Sequence, residues 1–166
     1  RSSDLNYTGA DTLTITSTDA NSASDVDTVG ITVSNVNASP VNTVPGAQTV
    51  NEDTSLAIGG ISVADVDDNL STVQLAVTHG TLNVTLSGAA SISSGANGSN
   101  TLTLSGSQAD INATLASLSY QGDLNFNGAD TLTVTSTDAD GATDMDTVSI
   151  TVNPVNDAPV NTVPGA

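Results

Sequence analysis

Residues 123–166 repeat residues 4–47 without a gap, at an offset of 119, with 32 of 44 positions identical. A repeat at fixed spacing constrains the fold before any local signal does, because every copy must be a structural unit in its own right. A spacing of 119 residues is too long for one turn of a solenoid and suits one small domain. The chain is therefore expected to divide in three: residues 1–40 as the C-terminal part of a preceding repeat, 41–158 as a complete repeat, and 159–166 as the start of the next.

Within the complete repeat the dominant signal has period two. Residues 73–78 place Val73, Leu75 and Val77 on one side and Gln74, Ala76 and Thr78 on the other. Such alternation marks a strand with one wet face. The same pattern covers 81–86 (Leu82, Val84, Leu86), 101–104, 130–137 (Leu132, Val134) and 146–152 (Val148, Ile150, Val152). Leu56, Ile58, Ile61 and Val63 supply further inward positions, with Gly59–Gly60 shifting register between two short strands through a bulge. His79–Gly80 and Asn97–Gly98 mark turns, the latter of hairpin type. Pro40 and Pro45 punctuate a linker over 41–47.

Once, the period changes. Ile111, Leu115 and Leu118 fall at helical spacing behind Ser107, which is placed to cap, with Asp110 three residues on. This predicts one short crossover helix over 108–117. Seven or eight short strands with turn signals between them predict an antiparallel β-sandwich. Phe126, in the turn 125–128, is expected to plug its end.

Charge narrows the function. Eighteen Asp and Glu face a single Lys or Arg, for a net charge of −17. Counterion release at a phosphate backbone needs cationic side chains, so nucleic acid is excluded as a partner. A polybasic grip on an anionic membrane is excluded for the same reason. Without cysteine the chain has neither disulfides nor thiolate metal sites, and no apolar run reaches the length of a spanning helix. One histidine, no cysteine and no strained serine turn exclude nucleophilic triads. Two aromatic tyrosines and one phenylalanine are too few to stack a sugar against paired carboxylates. The chain is expected not to be an enzyme.

The acids gather at loops, in four groups: Glu52 and Asp53; Asp65, Asp67 and Asp68; Asp138, Asp140, Asp144 and Asp146; and Asn153, Asn156 and Asp157. Two readings stand side by side. Acids at loops keep a protein soluble through self-repulsion. Alternating carboxylates on an extended loop also suit Ca²⁺, which takes about six to eight oxygens. Asp130 is as well placed to accept backbone amides as to bind metal. His79, beside a turn glycine, is expected on the surface, and outward threonines such as Thr101, Thr103, Thr131, Thr133 and Thr135 suit a wet strand.

The stretch ISVADVDDN resembles the A-x-D-x-D-x-x-N segment of cadherin repeats. The run LTVTSTDADGATDMDTVSITVNPVNDAP resembles the end of such a repeat and its linker. The chain is similar, more closely, to cadherin-like tandem repeats of giant secreted bacterial adhesins of the RTX and Bap type. They share its N-E-D-T opening, N-F-N-G-x-D turn and V-N-D-A-P linker. The resemblance implies an Ig-like, cadherin-like β-sandwich with calcium at the domain junctions. Its ligands would be Asp65, Asp67 and Asp138 at the entrance and Glu52, Asn156 and Asp157 at the exit, and Asp140 is a further candidate ligand. It departs from cadherins in having no mid-domain D-R-E motif and in Ala38, which stands where the second copy has Asp157.

The expected function is thus a calcium-stiffened structural extender of a long bacterial surface adhesin, exported to the cell surface by a type I system and serving adhesion and biofilm formation. The alternative is an adhesin module whose threonine face or loop tips bind a glycan or ice. Expected partners are neighbouring repeats of the same chain, without direct membrane contact. A strand-swapped dimer is expected if residues 1–40 leave open edges.

Overall fold

The computed structural model describes residues 7–161. They form two units, one running to Asn37 and the other from Ala38 onward. Most of the expected next repeat, residues 162–166, lies outside the described residues, as do residues 1–6.

The first unit is a hairpin. β1 (Gly9–Thr18) and β2 (Ser24–Val33) pair antiparallel from Gly9↔Val33 to Thr18↔Ser24. Its turn is organised by Asp19, whose Oδ1 accepts the N–H groups of Asn21 and Ala23, both at 2.9 Å. Short acidic side chains compete well for nearby amides, which is why they gather at turns.

The second unit is an all-β sandwich with one short helix, the expected fold class. In chain order it contains β3 (Val41–Thr43), β4 (Gln48–Asn51), β5 (Ser55–Ala57), β6 (Ser62–Ala64), β7 (Leu70–Ala76) and β8 (Gly80–Asn83). β9 (Ser91–Gly95), β10 (Thr101–Ser105), α1 (Gln108–Leu115), β11 (Ser119–Gly122), β12 (Gly128–Asp138) and β13 (Thr143–Asn153) complete it. One sheet has the order β4-β13-β12-β7-β10-β9, a second β5-β11-β8, and β3 pairs with β6. The described pairs are antiparallel except β13 with β4, which run parallel. The core is mainly aliphatic: Leu75, Leu102, Leu104, Leu132, Val134 and Ile150 meet Ile58, Val63, Leu82, Leu118 and the buried ring of Tyr120.

Several expectations are corrected. Residues 41–47 do not form only a linker, because Val41–Thr43 pairs with Ser62–Ala64. Gly59–Gly60 does not make a bulge within one sheet. It carries the chain from β5, which pairs with β11, to β6, which pairs with β3, and Gly60 takes φ +81° at the crossing. His79–Gly80 is likewise a corner: β7 belongs to the large sheet and β8 to the small one. β8 ends at Asn83, and Leu86, expected inward, is exposed. A further strand, β9, lies in the Gly- and Ser-rich stretch 87–100, just before the turn at Asn97–Gly98.

The helix begins as expected, with Ser107 Oγ accepting the Asp110 N–H at 3.1 Å. It closes at Leu115, two residues short of the expected end at 117, because Leu118 folds back into the core and its N–H donates to the Leu115 carbonyl. Two of its polar side chains dock it on β6. Asn112 pairs with both main-chain groups of Val63, at 2.8 and 2.9 Å, and Gln108 Oε1 accepts the Asp65 N–H at 2.7 Å.

Candidate functional site

The candidate ligands of the sequence lie in the second unit, where several of their carboxylate oxygens meet main-chain N–H groups. No Lys or Arg lies among the described residues to pair with them. Charge-assisted hydrogen bonds from amides are then the available compensation for burying a carboxylate.

At the entrance, β6 runs out into the loop 65–69. Asp65 is buried, and its Oδ1 accepts the Asp67 N–H at 2.9 Å. Asp68 turns the loop with φ +56°, and its N–H donates to the Asp65 carbonyl at 3.3 Å. Asp67 reaches in the other direction, and its Oδ2 accepts the Ala38 N–H at 2.7 Å. Asp138, at the end of β12, repeats the turn of the first hairpin: its Oδ1 accepts Asp140 N–H at 3.0 Å and Ala142 N–H at 2.8 Å. Asp140 is exposed, and its Oδ2 accepts from Asn69 Nδ2 at 3.0 Å. The two loops are tied further by the Ala139 N–H, which donates to the Asn69 carbonyl at 2.9 Å.

β3 is fixed beside this end by a residue that sequence reasoning passed over. Asn42 is buried; its N–H donates to Asp144 Oδ2 at 2.7 Å and its Nδ2 to the Asp144 carbonyl at 3.0 Å. The inward position of Asn42 was legible only once 41–43 was known to be a strand, since every second residue then faces in.

At the exit, Glu52 is buried between the two strands that leave and enter the sheet. Its N–H donates to the Asn153 carbonyl at 2.8 Å, and its Oε1 accepts the Val155 N–H. Its Oε2 accepts from Asn127 Nδ2 at 3.2 Å. Asn156 and Asp157, expected beside it, are exposed, and Asn156 Nδ2 donates to the Asp157 carbonyl at 3.3 Å.

The seven residues expected to ligate calcium are thus brought together only in part. Among the described residues, no group of three or more acidic or histidine side chains is arranged to hold a metal. Among the described residues, three buried side-chain oxygens, Asp65 Oδ2, Asn42 Oδ1 and Ser136 Oγ, have no hydrogen-bond partner.

Asp130 proves to be a main-chain acceptor. Its Oδ1 takes the N–H groups of Thr78 (3.0 Å) and Thr131 (2.8 Å), and its Oδ2 takes that of His79 (3.0 Å) and lies 3.0 Å from the Tyr120 hydroxyl. Burial, then the hydrogen bond and charge of Asp130, then the charge of Asp123, push the Tyr120 phenol well above its ordinary range. The His79 ring is exposed, as expected, and stacks on the half-buried Phe126 with centroids 4.4 Å apart. This cluster ties the corner between the two sheets.

Comparison with known proteins places the chain elsewhere than its motifs suggest. The family model described as "Protein GAMETE EXPRESSED 2 domain" matches residues 54–147, from the edge of β5 into β13. It takes in Asp65, Asp67, Asp138 and Asp140 and leaves Glu52, Asn156 and Asp157 outside. A curated relative from Arabidopsis thaliana, "Protein GAMETE EXPRESSED 2", is 30% identical over 172 residues. The alignment covers 96% of this chain and 19% of that protein, so the chain spans about a fifth of its relative's length. Both matches overturn the expected bacterial adhesin repeat, and with it the extender and glycan- or ice-binding roles in adhesion and biofilm. Motifs such as N-E-D-T and V-N-D-A-P are turn and linker chemistry, and any array of β-sandwiches needs such chemistry at the same places.

Proposed function

The chain belongs to the GAMETE EXPRESSED 2 domain family, and on that premise we propose that it is a non-catalytic β-sandwich module of a longer, gamete-expressed protein, built to hold the segments that run into and out of it. One set of contacts carries this reading. Three carboxylates, Asp67, Asp144 and Glu52, accept the main-chain N–H groups of Ala38, Asn42 and Val155. Hydrogen bonds to a charged acceptor contribute about 1.5–3 kcal/mol each, enough to order a short connecting segment. Carboxylates in this role orient neighbours without any reactive group, and the repeat at 119 residues supplies such neighbours.

Amide hydrogen exchange on the whole chain tests the proposal. The Ala38, Asn42 and Val155 amides should be protected, and Asp67→Ala and Glu52→Ala should release Ala38 and Val155 respectively while β7 and β12 keep their protection. Exchange of these three amides at the rate of an unstructured peptide in the unaltered chain would refute it.

Calcium is the second reading, favoured by a single atom. Asp65 Oδ2 is buried without a hydrogen-bond partner, and an unpaired buried carboxylate oxygen is costly unless a proton donor or a cation meets it. Asp65 and Asp67 are the residues that would hold the ion, which would add charge compensation to a loop that has no cationic side chain. Calorimetric titration with calcium chloride should give saturable binding that Asp65→Asn removes. An absence of binding heat across the millimolar range would end this reading.

A further inference from the structure

The hairpin β1–β2 has nearly the sequence of β12–β13 and the same register, but none of its cover. Gly9↔Val33 through Thr18↔Ser24 correspond pair by pair, at the 119-residue offset, to Gly128↔Val152 through Thr137↔Thr143. The turns agree as well: Asp19 Oδ1 and Asp138 Oδ1 each accept two amides, two and four residues on. The surroundings do not agree. Leu13, Ile15, Val29 and Ile31 are 43–54% exposed, whereas their counterparts Leu132, Val134, Val148 and Ile150 are 0–1% exposed.

We infer that the apolar face and open edge of β1–β2 are an interaction surface for another copy of the same repeat, lying upstream in the longer protein. The inference rests on the repeat reading above. The occupant's chemistry is set by what covers β12–β13. β12 pairs antiparallel with β7, Val134 opposite Leu75 and Thr137 opposite Thr72. The partner of β1 is therefore a strand of the L-S-T-V-Q-L-A type that sets its own Leu75 equivalent opposite Ile15 and its Thr72 equivalent opposite Thr18. Leu13, Ile15, Val29 and Ile31 then close onto the small sheet of that copy.

This chain cannot supply the cover by exchanging strands. The described residues hold two such hairpins and one set of covering strands, so exchange between molecules leaves one hairpin per chain bare whichever is chosen. Burying the four side chains would be favourable, and an exposed, regular edge is otherwise a site of unwanted pairing.

Placing a second copy of residues 41–122 directly before Asp4 of the whole chain restores the 119-residue register and tests the assignment. Amide exchange in β1 and β2 should then slow by about 100-fold or more, towards the rates of β12 and β13. Ile15→Asp should abolish that gain, and Thr12→Asp, on the opposite face, should leave it. Unchanged exchange in β1, or equal loss from both substitutions, would overturn the proposal. So would protection already present in the 166-residue chain together with a dimer mass by light scattering, since a second molecule would then be the occupant. Protection of Ala38, Asn42 and Val155 is measured in the same experiment, so failure here is distinguishable from failure of the docking role.

Discussion

The Tyr120 hydroxyl lies 3.0 Å from Asp130 Oδ2, at the point where the chain turns from the large sheet into the small one. The same carboxylate holds the amides of Thr78, His79 and Thr131. One acid therefore fixes the corner after β7, the start of β12 and the fully buried Tyr120 ring. Tyr120→Phe removes one hydrogen bond to a charged group and should lower stability by about 1.5–3 kcal/mol. Asp130→Ala strands three amides and leaves the Tyr120 hydroxyl with only the His79 carbonyl, 3.0 Å away, so it should cost clearly more, and urea unfolding of the two variants gives the order.

Tyr120 also sets an alkaline limit. Burial and the neighbouring carboxylate raise its folded-state pKa above the unfolded value. A raised value means that the folded state holds the proton more tightly, so this stabilisation is complete below the unfolded pKa, near 10, and is lost as pH rises beyond it. Unfolding free energy measured between pH 8 and 11 should begin to fall near pH 10, and Tyr120→Phe should flatten that decline.

Two glycines should respond in opposite ways. A Cβ at Gly80 would lie 2.5 Å from the Gln121 carbonyl oxygen and 2.6 Å from Tyr120 Cε2, whereas one at Gly59 meets nothing within 4 Å. Gly80→Ala should destabilise by at least about 1–3 kcal/mol, since neither backbone nor packed ring yields cheaply. Gly59→Ala should be neutral or stabilising by up to about 1 kcal/mol through the unfolded chain. Thermal melts of both variants decide it.

Asn112 acts as a one-residue strand against Val63, pairing with its N–H at 2.8 Å and its carbonyl at 2.9 Å. Asn112→Ala leaves two main-chain groups without partners and should cost about 2–6 kcal/mol, at roughly 1–3 kcal/mol for each buried group left unsatisfied. Asn112→Asp keeps the acceptor for the Val63 N–H and sets a second oxygen against the Val63 carbonyl, so it should not restore stability. Denaturant midpoints of the two variants test the pairing.

Ser107→Ala removes the acceptor for the Asp110 N–H and should cost about 1 kcal/mol, as loss of a helix N-cap does. Loss of protection confined to the first turn of α1, measured by amide exchange, distinguishes this from a general loosening.

Much of the sandwich was legible in one dimension because period-two patterning is local. Val73, Leu75, Leu132 and Val134 alternate in sequence and point inward in the fold for the same geometric reason. The helix start was legible too, since Ser107 and Asp110 interact within one turn. β9 was not, because Ser91–Gly95 has little apolar pattern of its own and is a strand only through its pairing with β10. Nor were the sheet changes at Gly59–Gly60 and His79–Gly80, which depend on the partners the next strands find.

The acids divide along the same line. Sequence alone settled that they gather at loops, that the chain repeats every 119 residues and that no cationic side chain among the described residues is at hand to pair with them. Tertiary structure decided that Glu52, Asp67, Asp130, Asp138 and Asp144 face main-chain amides. Composition carries no information about whether a carboxylate meets an ion or a neighbouring N–H. That depends on which backbone segments the fold brings within about 3 Å, and residues as distant in sequence as Asn42 and Asp144 become neighbours only once the sheets have closed.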